Sequence, residues 1–570
     1  MKRTRTILLL ALLCAANFSI SRSLNSSIFH SPVDYDILLA GNFGEPRPNH
    51  FHGGLDVKTG NVEGKHIYAI ADGYVSRVTV GLYGFGNAVY VTHPTGQTSV
   101  YCHLRSFSPR IKAALRRYQY SHKTSVADAY LTPLDVPVSA GQFIALSGNT
   151  GHSTGPHLHL ELHDTRTWDM LDPYEVLADY LNDTVPPRAH GFEAIPQADG
   201  TFNGGRTRQN FGFASHDLEH VFTAWGRVGF ALWANDYMQE TYNHYGVRYT
   251  TLLVDGREVF RSNVGRVPVS LNRMVNAWGD YEHYRRSNVW YMKSFLEPAC
   301  RLPILWADEN RGIINFCEER DYHLEYVLRD YKGNESHYRF TVRGVRSSFF
   351  AEQSGRAERL VPPSSYADTP CQPRLRSDRT STYSRPGVQL VVPYGFIAAD
   401  VALQPAVRPL PDAPSDGYQF TGFSTPLLVD APLSIYVRRP VADPTKLFLT
   451  DEQGRYLGGD YHDGWLTGHI RDLTGVHRLA YDDQPPTVRP LSLTGDVLRL
   501  SVTDGGSGIA VWTATVDDRF IVFDALEKSS TFACVLRESW LRPTGRQHRL
   551  HFEVTDNCQN GAVYETTFTY

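Results

Sequence analysis

The chain has 570 residues, 42% hydrophobic and 12% aromatic, so burial is not limiting, and at about 100–200 residues per domain it divides into three or four domains. Setting aside Lys2, Arg3 and Arg5 of the leader takes the formal net charge from −4 to −7, which excludes a general attraction to nucleic acid or anionic lipid. Any basic surface must be local.

Lys2, Arg3 and Arg5 precede the apolar run from Ile7 to Ala16 and then small residues near Ser19 to Ser23, the pattern of a secretory signal peptide over 1–23. Cys14 follows Leu12 and Leu13 rather than a small residue, so lipidation is not expected. No other run approaches the roughly 18 apolar residues of a spanning helix, so no transmembrane segment is expected. The mature chain is expected to be exported, to the periplasm or cell envelope or beyond the cell. Cys102, Cys300, Cys317, Cys371, Cys534 and Cys558 are compatible with one or two disulfides there, with Cys300–Cys317 and Cys534–Cys558 the pairs to test first.

From 33 to 183 glycine turns separate short alternating strands: 68–73, 75–80, 88–92, 99–104, 143–147 and 157–162. This reads as an all-β domain. It is interrupted by an insertion over 105–135, in which Pro109 to Tyr120 carries Ile111, Leu115 and Tyr118 at helical spacing with Arg110, Lys112, Arg116 and Arg117 largely elsewhere. We expect a short amphipathic helix packed on the sheet with solvated basic residues. The insertion would either border a cleft or dock on the outer edge.

The stretch His157-Leu158-His159-Leu160-Glu161-Leu162-His163 alternates polar groups with leucine, as a strand with one wet face does. His157 and His159 therefore point the same way. Such a pair can hold a metal with one ring and work on a substrate with the other. Catalytic zinc takes three protein ligands and keeps one open position, and His52-Gly53-Gly54-Leu55-Asp56 offers two more donors. His103 ends another strand segment, Tyr101-Cys102-His103-Leu104. Strand alternation sends Cys102 to the opposite face, into the core. Glu161 shares the histidine face and reads equally as a ligand-orienting carboxylate or a solvated one. His50, His66, His93, His122, His152 and His163 read as ordinary structural histidines. There is no H-E-x-x-H helix.

Beyond Asp183 the Val185-Pro186-Pro187 sequence marks a hinge. A β-rich domain over 186–345 follows, with strands at 228–234, 250–254 ending in Asp255-Gly256, 325–329 and 338–342, and no catalytic cluster. Residues 354–386 read as a linker or irregular loop, 387–484 as another β-rich domain, and 485–570 as an immunoglobulin-like sandwich. The segment Val554 to Gly561, with Asp556 and Asn560, echoes Leu328 to Asn334, with Asp330 and Asn334. Related sandwich units are one explanation of that echo; independent turn chemistry is the other.

Residues 42 to 163 resemble the lysostaphin and LytM group of zinc metalloendopeptidases, whose motifs are H-x-x-x-D and H-x-H. The resemblance extends to Ala69 to Val75, Tyr83 to His93, Tyr101 to Leu104, and Gly141 with Gln142 through Ser147 to His159. It implies an antiparallel β-domain in which His52, Asp56 and His159 bind one zinc ion. His103 and His157 would then be the unliganded active-site histidines, sharing the tasks of general base and oxyanion donor. The implied activity is hydrolysis of peptidoglycan stem or cross-bridge peptides, with trailing β-sandwich modules positioning the enzyme on the wall or on an envelope protein partner. Two rival readings stand beside it. One is a non-catalytic scaffold that activates a cell-wall amidase; the other is a surface-binding protein whose C-terminal sandwiches carry the function.

Overall fold

The structure is a computed structural model that describes residues 28–81, 84–346, 373–422, 425–526 and 528–570. The expected signal peptide, Cys371 and the first part of the 354–386 segment lie outside the described residues. The chain is mostly β, as the alternation predicts.

In the first unit a sheet runs, in spatial order, through Leu39–Gly41, Gly54–Lys58, His157–Asp164, Gln97–Cys102, Ala88–Thr92, Gly73–Val80 and Ala127–Tyr130. The histidine-bearing strand is central. Leu158, Leu160 and Leu162 are fully buried in the main core with Leu55, Val57, Val89 and Val91, which fixes the register, because a slip by one residue would exchange the two faces. That register sets His159 opposite Asp56 on one side and opposite Cys102 on the other. The polar face of this strand differs from the wet surface expected: His159, Glu161 and His163 are all buried, beneath a cover that includes Trp168 and Met170. The expected strand at 68–73 is shorter, ending at Tyr68, and a chain reversal leads into Gly73–Val80.

The insertion forms a helix over Pro109–His122 and an edge strand, Ala127–Tyr130, which pairs with Gly73–Val80. Ile111, Ala114 and Leu115 face the core. Its basic face is not simply solvated. Arg116 holds Asp524 with two hydrogen bonds, of 2.8 and 3.2 Å, and Lys112 pairs with Glu538. Both acids belong to the C-terminal unit. The Phe523 backbone N–H also donates to Ser125 Oγ at 3.1 Å, and Tyr120 meets Phe520 edge-on. The insertion therefore docks outside the cleft described below and serves as a seat for the end of the chain.

The second unit is a twelve-stranded sheet around a phenylalanine-rich core of Phe192, Phe202, Phe230, Phe316 and Phe340. Its Arg266–Val267 strand pairs with Met170–Leu171 and so extends the sheet of the first unit. In the third unit a five-stranded sheet runs from Ser381–Arg385 through Val388–Val392, Pro426–Tyr436 and Trp465–Asp472 to Asp460–His462. Strands Arg374–Leu375 and Ser381–Arg385 fall inside the span expected to be irregular, because Leu375 and Tyr383 bury their side chains in this core. The last unit stacks two four-stranded antiparallel sheets over one core, with the Trp512 indole N–H donating to the Phe523 carbonyl at 2.8 Å.

Cys102, Cys300, Cys317, Cys534 and Cys558 are all free thiols, so neither of the two disulfides picked for testing forms. Cys534 belongs to the sandwich core and Cys102 packs with Ala88, Tyr90 and Val100, where each acts as a small hydrophobe. No described helix is long and apolar enough to cross a membrane.

Candidate metal centre

Two glycines explain how His52 and Asp56 come together. A Cβ at Gly54 would overlap the backbone carbonyl of Leu160, and one at Gly53 would overlap the Glu161 carboxylate. Only glycine lets the Gly54–Lys58 strand lie this close to His157–Asp164. Asp56 then faces His159 across the ladder, while His52 folds over them from the preceding turn.

His52 Nε2, Asp56 Oδ1 and His159 Nδ1 converge with separations of 3.0 Å (His52–Asp56), 2.8 Å (His159–Asp56) and 2.9 Å (His52–His159). Each imidazole is held in one tautomer by its other nitrogen. His52 Nδ1 sits 2.6 Å from the Asn42 carbonyl, which can only accept, so Nδ1 carries the proton. His159 Nε2 sits 2.9 Å from Glu161 Oε1 and donates to it. The neutral rings therefore aim two lone pairs at each other and at a carboxylate oxygen, an arrangement that repels unless a cation or proton stands among them. Ligands at zinc distances of about 2.0–2.2 Å in a tetrahedron are separated by about 3.3–3.6 Å, a few tenths of an ångström wider than the spacings found. This donor set fits zinc.

The electrostatics agree. Burial opposes charge on His159, yet its hydrogen bonds and charge interactions with Asp56 and Glu161 outweigh that and push it up to about 9. Burial likewise opposes ionisation of Asp56, but the surrounding imidazoles hold its carboxyl well below the usual range. The pocket is built for a positive charge. Glu161, whose role the sequence left open, is buried and accepts from His159 and, at 2.7 Å, from His163 Nε2. A carboxylate behind a ligating imidazole fixes its orientation and raises its basicity.

His103 and His157 stand beside this cluster, their ring centroids 4.9 Å apart, and His103 lies 5.7 Å from His159. His103 sits between two strands with φ of +59°, and this break in the extended backbone brings its ring into the cleft. Its Nδ1 donates to the Thr150 carbonyl at 2.6 Å; His157 Nδ1 donates to the Gly155 carbonyl at 2.8 Å. His103 thus keeps an unprotonated Nε2, while His157 Nε2 lies 3.4 Å from Asp56 Oδ1. Burial and the neighbouring His159 and His157 drive His103 down to about 3, so it is neutral near pH 7.

The cleft has a volume of about 1370 Å³ and takes part of its wall from the second unit, through Asn243, Val269 and Asn272. That unit also grips the loop that leads to His52. The Asn42 side chain exchanges two hydrogen bonds with the Gly246 backbone, of 2.8 and 2.9 Å, while Asn272 accepts from the Phe51 N–H at 2.6 Å. Arg47 bonds the second oxygen of Asp56 at 2.9 Å and also reaches Glu45. Arg47, Asn42 and the second-unit buttress were not visible in the sequence. Arg47 lies on the two-residue strand Pro46–Arg47, too short to leave a periodic trace, and the carbonyl that fixes His52 belongs to a backbone whose residue type carries no signal. His50 and His152 border the cleft without joining the cluster, whereas His93 is a core histidine bonded to the Asp72 carbonyl and Ser99.

Residues 50–119 match Peptidase family M23, a span that contains His52, Asp56 and His103 and stops short of His157 and His159, and residues 372–482 match a Zu5-like domain. The chain thus carries an M23 domain, followed by further β units. An uncharacterized metalloprotease of Haemophilus influenzae is 36% identical over 112 residues, which is 20% of this chain and 18% of that protein. A DD-carboxypeptidase/endopeptidase, Mpg, of Neisseria meningitidis is 32% identical over 111 residues, 19% of each chain. The matched region is therefore about a fifth of the length of these curated relatives. Among solved structures, the catalytic domain of lysostaphin from Staphylococcus simulans is 24% identical, covering 24% of this chain and 89% of that one with a TM-score of 0.18. A zinc-containing peptidase from Vibrio cholerae is 26% identical over 26% of this chain and 39% of that one, with a TM-score of 0.19.

Proposed function

We propose that the protein is an exported zinc metalloendopeptidase that hydrolyses peptide bonds in peptidoglycan stem or cross-bridge peptides. The observation that carries this reading is the convergence of His52, Asp56 and His159, in fixed tautomers, beside two further imidazoles in one cleft. Zinc bound by those three side chains supplies Lewis acidity, polarising the scissile carbonyl and lowering the pKa of an attacking water. His103 and His157 do the proton work. With Nδ1 tied to a backbone carbonyl, each has only Nε2 to offer: it accepts the proton of water as the C–O bond forms and, once protonated, donates to the oxyanion or to the leaving amine as the C–N bond breaks. Glu161 holds His159 against rotation, and Arg47 holds the second oxygen of Asp56 so that the first is directed into the cluster. The name of the Neisseria relative supports a peptidoglycan substrate, and the leader pattern supports export.

The test is digestion of purified peptidoglycan by the mature full chain, with and without chelator, alongside His159→Ala and His157→Ala. His159→Ala is expected to lose zinc and activity, and His157→Ala to keep zinc and lose turnover. Full activity in either variant would refute the assignment. A well-folded, zinc-loaded wild type that releases no peptide would favour the scaffold role instead.

A further inference from the structure

One cation in the cleft has no counter-ion. The lysines, arginines and acids that line the cleft are Glu45, Arg47, Asp56, Lys58, Arg77 and Glu161. Arg47 is answered by Glu45 and Asp56, Arg77 by Asp128 through hydrogen bonds of 2.6 and 2.9 Å, and Glu161 by His159 and His163. Lys58 is half-buried, and its amino group has neither an ion-pair nor a hydrogen-bond partner among the described residues. The two charges that a bound zinc brings are offset by Asp56 and Glu161, so the charge left over in the cleft is that of Lys58. A cation in a partly dry cleft is screened less than one in bulk water, and an opposite charge that enters gains accordingly.

The backbone fixes where that charge stands. Alternation sends Leu55 and Val57 into the core, so Lys58 shares the face of Asp56, and the register sets it directly opposite His157. Residues paired in this way have Cβ atoms about 4.5–5.5 Å apart. The Lys58 N–H donates to the Leu38 carbonyl at 2.8 Å, and the Lys58 carbonyl accepts from the Tyr35 hydroxyl at 3.1 Å. The neighbouring Thr59 hydroxyl donates to the Pro156 carbonyl at 3.1 Å and ties this strand end to the opposite wall. The root of the side chain is thus held while its ammonium is unengaged. A second observation concerns the same end of the cleft. Among the residues that line it, 58–61 and 152–157, none is acidic. Lys528 of the last unit adds a further cation there, reaching Asn149 Oδ1 at 2.7 Å and the carbonyl of Ser153, both neutral acceptors.

We propose that Lys58 anchors a carboxylate of the substrate, so that the cleft selects acidic peptides over neutral ones. This rests on the peptidase reading above and narrows it. Asp56 and Lys58 are two residues apart on one strand, a span of about 6.6–6.8 Å, and an extended peptide covers about 3.3–3.6 Å per residue. The carboxylate that Lys58 meets therefore lies within about two residues of the scissile bond, on the His157 side of the metal cluster. A free α-carboxyl group or an acidic side chain at that place supplies the missing counter-ion, with a charge-assisted hydrogen bond about twice as strong as a neutral one. An ammonium is a compact point charge, so it fixes the sign of the group it meets more strictly than the orientation.

The test uses the zinc-loaded mature full chain and cross-linked peptide fragments of purified peptidoglycan in three forms: carboxylates free, converted to neutral amides with carbodiimide and ammonia, or converted to amines with carbodiimide and ethylenediamine. Wild type should show a kcat/KM about tenfold higher for the acidic form than for the amide form, chiefly through KM, and the ratio should shrink at about 1 M salt. Lys58→Gln should lose that tenfold on the acidic form and cleave the amide form as wild type does. Lys58→Glu should invert the order and make the amine form the best substrate. Because the ammonium bonds nothing in the free protein, Lys58→Gln should match wild type in zinc content and melting temperature. A merely structural role for Lys58 would lower activity on all three forms together, and that result overturns the anchor. So does a wild type that cleaves the acidic and amide forms within about twofold of each other, or a Lys58→Gln variant that still tells them apart. Either outcome leaves the peptidase reading standing, whereas a wild type that cleaves no form overturns both.

Discussion

Removing the Glu161 carboxylate is the sharpest test of how the metal centre is held. Its oxygens accept from His159 Nε2 at 2.9 Å and from His163 Nε2 at 2.7 Å. In Glu161→Ala both N–H groups lose their acceptor in a buried site, at a cost of about 1–3 kcal/mol each, and His159 is free to change tautomer or rotate. Loss of such a partner typically lowers metal affinity about 10–100-fold, or about 1.4–2.7 kcal/mol. Glu161→Gln should be milder. Its amide oxygen can still accept from His159, while its NH2 faces a His163 that can move its proton to Nδ1 and donate to the Trp168 carbonyl, 3.2 Å away. Zinc affinity measured by chelator competition should therefore fall in the order wild type, Gln, Ala, with the Gln variant losing about tenfold or less. A Glu161→Ala protein that binds zinc within twofold of wild type, or a Gln variant weaker than the Ala one, would refute the tautomer argument.

Zinc uptake at pH 7.5 should release about one proton, because His159 of the metal-free protein is pushed up to about 9 and must deprotonate to ligate; calorimetry in buffers of different ionisation enthalpy measures this. The sign also sets a stability window. A histidine with a raised folded pKa contributes stability in full below about 6.5 and loses it as pH rises through about 9, so the melting temperature of the metal-free protein should gain a downward component over that range that zinc abolishes. His103, driven down to about 3, acts oppositely and costs stability as pH falls from about 6.5 toward 3. Gly54→Ala should destabilise by at least about 1–3 kcal/mol in a denaturant titration, since its methyl group meets the Leu160 carbonyl and pries apart the strands carrying Asp56 and His159. A fragment ending at residue 183 should bind zinc on the order of tenfold more weakly than the full chain, because the Asn42 carbonyl that fixes His52 depends on Gly246; equal affinity would show the buttress to be dispensable.

What was legible in the sequence is what strand periodicity and short spacing encode. Alternation at 157–163 set the face shared by His157 and His159, the short spacing of His52 and Asp56 offered two further donors, and helical spacing at 109–120 located the inserted helix, which runs to His122. The rest depends on residues hundreds of positions apart. Neither Arg116 bonding Asp524, nor Asn42 bonding Gly246, nor Asn560 bonding the Asp482 carbonyl leaves a periodic trace, since each uses one side chain in a turn or on a helix surface. The polar face was misread as solvent-exposed for the same reason: alternation reports polarity, and the cover that buries His163 comes from elements outside the strand.

The seat that the inserted helix provides for the last unit changes how the trailing modules should be pictured. Strung end to end, each added module would lengthen a tether and widen the radius the first unit can search. Here the end of the chain comes home: Lys528 of the last unit reaches Asn149 and the Ser153 carbonyl, on the loop leading to His157. Returned in this way, the last module adds no reach and is held at a fixed offset from the cleft.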